Sequence, residues 1–126
     1  MSINGKDVIQ YTLTTAQTTD GDMQHQPILT ADFRFMVVTL KGTGGAAFTV
    51  NFLGSDESKY ALPTFFTPLE VKDESSATFY AGSYTFAGDA TIKVELNQNE
   101  VVWFKINMSG HASGQLDATI TLANNL

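Results

Sequence analysis

Two histidines, three close pairs of carboxylates, one tryptophan and a cluster of glycines are the groups in this 126-residue chain that chemistry could use. His25 and His111 both lie in polar segments. Neither is accompanied by a serine in a Gly-x-Ser-x-Gly elbow or by another nucleophile motif, so both read as solvated loop histidines. The acidic pairs are Asp20/Asp22, Asp56/Glu57 and Asp73/Glu74. Acid–base cleavage of a glycoside needs two carboxyl groups at set separations across a cleft. Neighbours in Gly/Ser/Asp-rich turns do not supply that, and turn chemistry accounts for them. Asp20-Gly-Asp22 with Gln24 could offer oxygens to Ca²⁺, which takes about six to eight, but the EF-hand spacing is missing. Gly42-Thr-Gly-Gly45 has the glycine density of a phosphate cradle without its Lys-Ser/Thr or a following helix. No catalytic residue, cofactor site or metal ligand is expected, and the chain reads as non-enzymatic.

The aromatic and apolar residues offer contact surfaces instead. Trp103 falls on the opposite strand face from Phe104, where it could be a sugar-stacking platform or a protein anchor. The competing reading packs it under a loop or in a second apolar layer. Leu62, Phe65, Phe66 and Leu69 occupy a stretch punctuated by Pro63 and Pro68. Left in water, each large side chain forgoes roughly 1.5–3 kcal/mol. The stretch therefore folds onto its own domain or docks on a neighbour, and these four with Trp103 are the candidate partner-contact residues.

Charge and composition narrow the partners. The net charge is −6 and the pI about 4.6, with seven scattered Lys and Arg. Nucleic-acid binders gain affinity by neutralising phosphates, and anionic membranes attract basic clusters, so both are disfavoured. Absence of cysteine rules out disulfides and thiolate sites and leaves the compartment open. The start, Met-Ser-Ile-Asn-Gly-Lys-Asp, has no apolar h-region, so no signal peptide is expected. No run approaches the ~18 apolar residues of a membrane span. Asn107-Met-Ser109 matches a glycosylation sequon, read as coincidence without a secretory signal.

Sixteen Thr, nine Phe and four Tyr favour strands as the elements that position these groups. Side chains of a strand alternate between faces. In 100–108 the apolar face is Val102, Phe104, Ile106 and Met108; in 115–122 it is Leu116, Ala118, Ile120 and Leu122. The polar, glycine-containing Ser109–Gly114 between them predicts a hairpin. The same logic predicts strands over 32–40 and 46–53 joined by a turn at Lys41–Gly45. Shorter strands are expected at 9–14, 77–80, 83–86 and 91–96, with turns at 18–22, 54–58, 71–75 (exposed) and 97–99; 26–29, which contains Pro27, is an edge strand or an extended approach. Residues 1–30 read as a possible partly extended N-terminal arm on a single domain, 1–126. The expected core is Phe33, Phe35, Phe48, Val50, Phe52, Phe86, Ile92, Val94, Val102, Phe104, Ile106 and Ile120. Eight or nine strands without a helical period predict an all-β, antiparallel β-sandwich of jelly-roll type, with a closed β-barrel as the alternative.

The run Phe33–Leu40, Gly42-Thr-Gly-Gly-Ala-Ala-Phe-Thr-Val-Asn-Phe-Leu-Gly-Ser-Asp56, together with Val101–Met108 and Ala112–Leu122, resembles the small β-sandwich virion proteins of tailed bacteriophages. It departs from them at Tyr60 and the proline-containing stretch, where such proteins often carry a Trp. The resemblance implies a structural role: a capsid decoration (cement) protein, or a tail or fibre module. It further implies a symmetric homo-oligomer, trimer or dimer, contacting a major capsid or tail protein, made in the host bacterial cytoplasm and carried in the virion. A carbohydrate-binding, lectin-like module is the alternative, motivated by Trp103 and the Phe/Tyr content.

Overall fold

The computed structural model describes residues 2–3, 6–96 and 101–124. Among the described residues, eleven strands follow in chain order: β1 (Ser2–Ile3), β2 (Lys6–Gln17), β3 (Gly21–Asp22), β4 (Ile28–Leu29), β5 (Phe35–Ser55), β6 (Thr67–Pro68), β7 (Glu70–Asp73), β8 (Phe79–Ala81), β9 (Ser83–Ala87), β10 (Ala90–Glu95) and β11 (Trp103–Ala123). All pairings among the described residues are antiparallel, and the strands form one open sheet in the order β1-β2-β11-β5-β10-β7-β8. The sheet does not close, so the barrel alternative is set aside.

β5 and β11 hold 21 residues each and pair along nearly their whole length, from Trp103 opposite Ser55 to Ala123 opposite Phe35. A straight strand of that length would span about 70 Å. A domain of this size has a radius of gyration of only about 14 Å, so both strands must bend. The two stretches expected to be hairpin turns are where they do. Gly44, Gly45, Gly110 and Gly114 have φ of 74°, 76°, 62° and 84°. The register between β5 and β11 slips on both sides of Ser113. The chain therefore does not reverse at 41–45 or at 109–114. It turns a corner and continues, and the predicted pairing of 100–108 with 115–122 is replaced by pairing of both halves with β5.

Two further ribbons cross the same line. β9 pairs with residues 47–51 of β5 and β10 with residues 37–42, on either side of Gly88-Asp89. β2 pairs with β11 from Leu116 to Ala123, while β3 and β4 pair with its first half. Four ribbons thus fold over one crease and bring the sheet back on itself as a two-layered sandwich. In the stretch 1–30, Val8–Gln17 pair along β11, and Leu13 is fully buried.

Burial parity follows from that continuity. On β5 the core residues are Met36, Val38 and Leu40 before the corner and Ala46, Phe48, Val50 and Phe52 after it. On β11 they are Phe104, Ile106 and Met108, then Leu116, Ala118, Ile120 and Leu122. One face stays apolar through the bend, and both halves join a single core cluster. The expected core holds for Phe48, Val50, Phe52, Phe86, Val94, Phe104, Ile106 and Ile120. It is wrong for Phe35, which is 40% exposed because the inner parity belongs to Met36. Phe33, Ile92 and Val102 are only partly buried, and Val101 takes the inner place beside Val102. Val71, expected in an exposed turn, is buried on β7. The expected turn at 97–99 lies outside the described residues.

The crease is cross-braced by side chains. Asp89 Oδ1 accepts from the backbone N–H of Gly45 (2.8 Å) and Ala46 (2.9 Å), which holds its carboxyl below the usual range, the Ala46 bond first. Asp20 Oδ1 accepts from His111 N–H at 2.9 Å, and Ser113 Oγ donates to Gly45 O. Asp117 Oδ1 accepts from the N–H of Ala16, which sits at φ 48°. A Cβ on Gly114 would lie 2.6 Å from Ala46 Cα and 2.7 Å from Thr43 O, whereas one on Gly110 would meet nothing within 4 Å. Gly114→Ala should therefore lower stability by about 2–5 kcal/mol, from left-handed strain plus overlap, against about 1–2 kcal/mol for Gly110→Ala. Urea unfolding of the two variants checks this, and equal midpoints would contradict the corner packing.

Candidate functional site

Opposite the crease, the ends of the bent strands meet and are tied together by backbone bonds. Thr30 N donates to Val102 O, Val102 N to Ser55 O, Arg34 N to Ala123 O and Leu96 N to Met36 O. The segment 56–66 leaves β5 at this open end and returns through Thr67 and Pro68, which pair with Gly54 and Leu53.

Glu57 sets the shape of that loop. Its Oε2 accepts from the N–H groups of Thr64 and Phe65, both at 2.7 Å, and its Oε1 from Thr64 Oγ1 at 3.0 Å. Glu57 N donates in turn to Ser55 Oγ at 3.2 Å. The Phe65 N–H is the largest influence holding the Glu57 carboxyl below its usual range. Three more ties fix the loop to the sandwich. Trp103 Nε1 donates to Ser58 O at 3.1 Å, and Lys59 pairs with Asp32 at 3.0 Å. Lys105 stands 4.5 Å from the Phe66 ring centroid while paired with Asp22 at 3.2 Å.

The sequence-expected contact residues divide accordingly. Trp103 is only 8% exposed and lies beneath the loop, and Leu69 is buried in the core beside Phe52, whose carbonyl its N–H donates to. The packed reading of Trp103 holds, and its ring offers no open platform for a sugar. Phe66 is half-buried over Lys105. Leu62 (57% exposed) and Phe65 (67%) are displayed, joined by Tyr60 at 87%. An open cavity of about 270 Å³ lies beside Phe65, lined by Gly54, Ser55, Asp56, Thr67 and Leu69. Tyr60 and the Glu57 clamp were missed in the sequence reading, because a carboxylate bonding amides seven and eight residues ahead has no short motif.

The groups considered for chemistry are used structurally. His111 Nε2 lies 2.8 Å from Gly114 O and its ring stacks on Phe48, within the crease; His25 is exposed. Asp73 accepts from Ser75 N and Oγ and from Tyr80 OH, a local turn whose Ser75 bonds hold its carboxyl below the usual range. Gln24 exchanges two bonds with the Thr15 backbone, so Asp20, Asp22 and Gln24 serve three different partners. Among the described residues, no three His, Cys, Asp or Glu side chains are grouped as a metal would require.

No protein-family model matches the chain, and no curated protein matches it. Two solved structures of phage origin share its fold. The SPBc2 prophage-derived protein YomS matches with a TM-score of 0.74 at 13% identity, covering 98% of each chain. The PBSX exported protein XepA matches with a TM-score of 0.70 at 12% identity, over 98% of this chain and 40% of XepA. The chain thus corresponds to about two-fifths of XepA's length. At such identities the likeness is one of fold.

Glu57 has a lowered folded pKa, so its contribution to loop order is complete above the ordinary carboxylate value and is lost as pH falls through the lowered one. Acidification should therefore release the loop and shift Trp103 emission. Glu57→Ala should abolish exchange protection of the Thr64 and Phe65 amides at neutral pH while β5 and β11 keep theirs. Protected Thr64 and Phe65 amides in that variant would contradict the clamp.

Proposed function

We propose that this chain is a non-enzymatic structural protein of a phage particle, a capsid decoration (cement) protein that fastens to shell subunits through its open-end loop. The observation that carries the reading is the anchored display of Tyr60, Leu62 and Phe65. Each gives up roughly 1.5–3 kcal/mol by not burying fully, while Glu57, Trp103, Lys59 and Lys105 hold the backbone that presents them. A mobile loop could fold these side chains inward; an anchored one keeps them available and loses little entropy on binding. The phage setting is supported by the fold shared end to end with a prophage-derived protein. An acidic chain suits a place outside a DNA-filled shell, where basic residues would compete for phosphate.

A second reading is favoured by one observation: XepA, which contains this fold, is described as exported. In that reading the domain acts after release from the producing cell and is not built into particles. The lectin-like alternative loses its motivating platform, since Trp103 is covered.

Quantitative mass spectrometry of gradient-purified particles separates the two. Incorporation predicts many copies per particle, falling about tenfold or more for Phe65→Asp, as loss of an anchor worth about 2 kcal/mol implies. Chain found only in particle-free medium would overturn the particle role and support release.

A further inference from the structure

We propose that the free edge of β9 accepts an extended segment of another protein as an added strand, a segment uncharged through its middle and basic at its ends. The edge shares no residue with the display of Tyr60, Leu62 and Phe65, so either contact can exist without the other.

β9 pairs on one side only, with residues 47–51 of β5. Neighbouring bonds fix which way its backbone points. Phe52 N donates to Gly82 O and Leu69 N donates to Phe52 O, so Phe52 turns its backbone toward this side of β5. In an antiparallel ladder the pairs that exchange bonds alternate with pairs that do not. Tyr84 and Phe86 therefore bond to Val50 and Phe48, while the N–H and C=O groups of Ser83, Thr85 and Ala87 point away from β5. Among the described residues no strand takes them up.

Exposed edges template pairing, and folded proteins blunt them with shortness, charge, proline or irregularity. The other edges follow that rule. β1 and β3 have two residues each, β3 carrying Asp22; β4 follows Pro27, β6 contains Pro68, and β8 has three residues. β2 is covered at Lys6 and Asp7 by β1 and tied at Leu13 and Thr15 by His25 and Gln24, which brackets the residues between. β10 is open only from Ala90 to Ile92, before Glu74 and β7 cover it. β9 has five residues, no charge, no proline and an unbroken register. An edge left open in that company marks a strand-addition site.

Side chains define the occupant. On the inner face Tyr84 is half-buried, edge-on to Tyr80 with ring centroids 5.3 Å apart, and on the outer face Thr85 Oγ1 lies 2.9 Å from Thr49 Oγ1. A neighbour with β-branched apolar residues beside Tyr84 and hydroxyls beside Thr85 continues both faces. Carboxylates stand at both ends: Glu70 opposite Ala81 and Asp73 on the Tyr80 hydroxyl before β9, and Asp89 after it. None of the three is in an ion pair among the described residues. A second copy, paired antiparallel about Thr85, would set Glu70 and Asp73 of each against Asp89 of the other. Lys or Arg at both ends of a foreign segment meets the same carboxylates with opposite charge.

Amide exchange of the full chain, followed by NMR with the end-blocked peptide Lys-Thr-Val-Thr-Val-Thr-Lys as probe, tests the proposal. The Ser83, Thr85 and Ala87 amides should exchange fast in the chain alone and slow by about tenfold or more at millimolar peptide, while Tyr84 and Phe86 stay slow throughout. The same peptide with Glu at both ends should bind roughly tenfold more weakly, and one with every internal amide N-methylated should not bind. Thr85→Pro removes an N–H that β5 does not use, so β5 and β11 amides should stay protected while peptide binding is lost. Unchanged exchange of the three amides at millimolar peptide, equal binding of the Glu-ended or N-methylated peptide, or undiminished binding to folded Thr85→Pro would overturn the inference. Slow exchange of the three amides in the chain alone, with the chain sedimenting at twice its mass, would mean that a second copy takes the edge and would overturn it as well.

Discussion

Two strands too long for their domain impose the constraint from which the rest follows. β5 and β11 present the same apolar face on both sides of the bend, and that face can be dry only if the pair doubles over on itself. Doubling requires every neighbouring ribbon to bend at the same line, and each has its own device there. β5 uses Gly44-Gly45, β11 uses Gly110 and Gly114, the β9–β10 ribbon uses Gly88-Asp89, and β2 uses Ala16 under Asp117. Aspartates and a serine then tie each corner to its neighbour. Asp20, Asp89, Asp117 and His111, which look reactive in a list of residue types, are taken up in holding the crease.

Fixing the crease also fixes the opposite end. The bent strands begin and finish together there, so loops remote in sequence, such as 30–34, 56–66 and 101–102, become neighbours. A single clamp and three ties then hold segment 56–66 against the outer face of β11. The loop shields Trp103 and Phe66 and leaves Tyr60, Leu62 and Phe65 outward. Fold and contact surface are thus two consequences of the same bend, and neither needs a pocket of reactive groups.

Period-two patterning made the strand class, the antiparallel sandwich and most of the core legible. It could not tell a corner from a reversal, because Gly44-Gly45 and Gly110–Gly114 have the composition of either. A reversal at 41–45 makes two independent strands of β5, and without the link the inner parity of 33–40 has no anchor. Both faces of 33–40 are mostly apolar, so Phe35 is as eligible for the inside as Met36, which occupies it. The candidate surface was half legible: proline-flanked Leu62 and Phe65 stood out as apolar residues without an evident layer. Leu69 and Trp103 carry the same signal in the sequence, because burial under a loop depends on contacts such as Trp103 Nε1 to Ser58 O, forty-five residues apart.

The crease is tested most directly by asking which strands are cross-strand neighbours in solution. Thr39 and Thr119 face each other across β5 and β11 and point outward together, within the Cα separation a disulfide needs. A Thr39→Cys/Thr119→Cys chain should oxidise fully in the folded state, while Asn107→Cys/Asp117→Cys, which lie on opposite sides of the bend, should remain thiols. Ready bridging of 107 to 117 with no bridging of 39 to 119 would mean that β11 reverses at its glycines, and the folded-over sheet would be wrong.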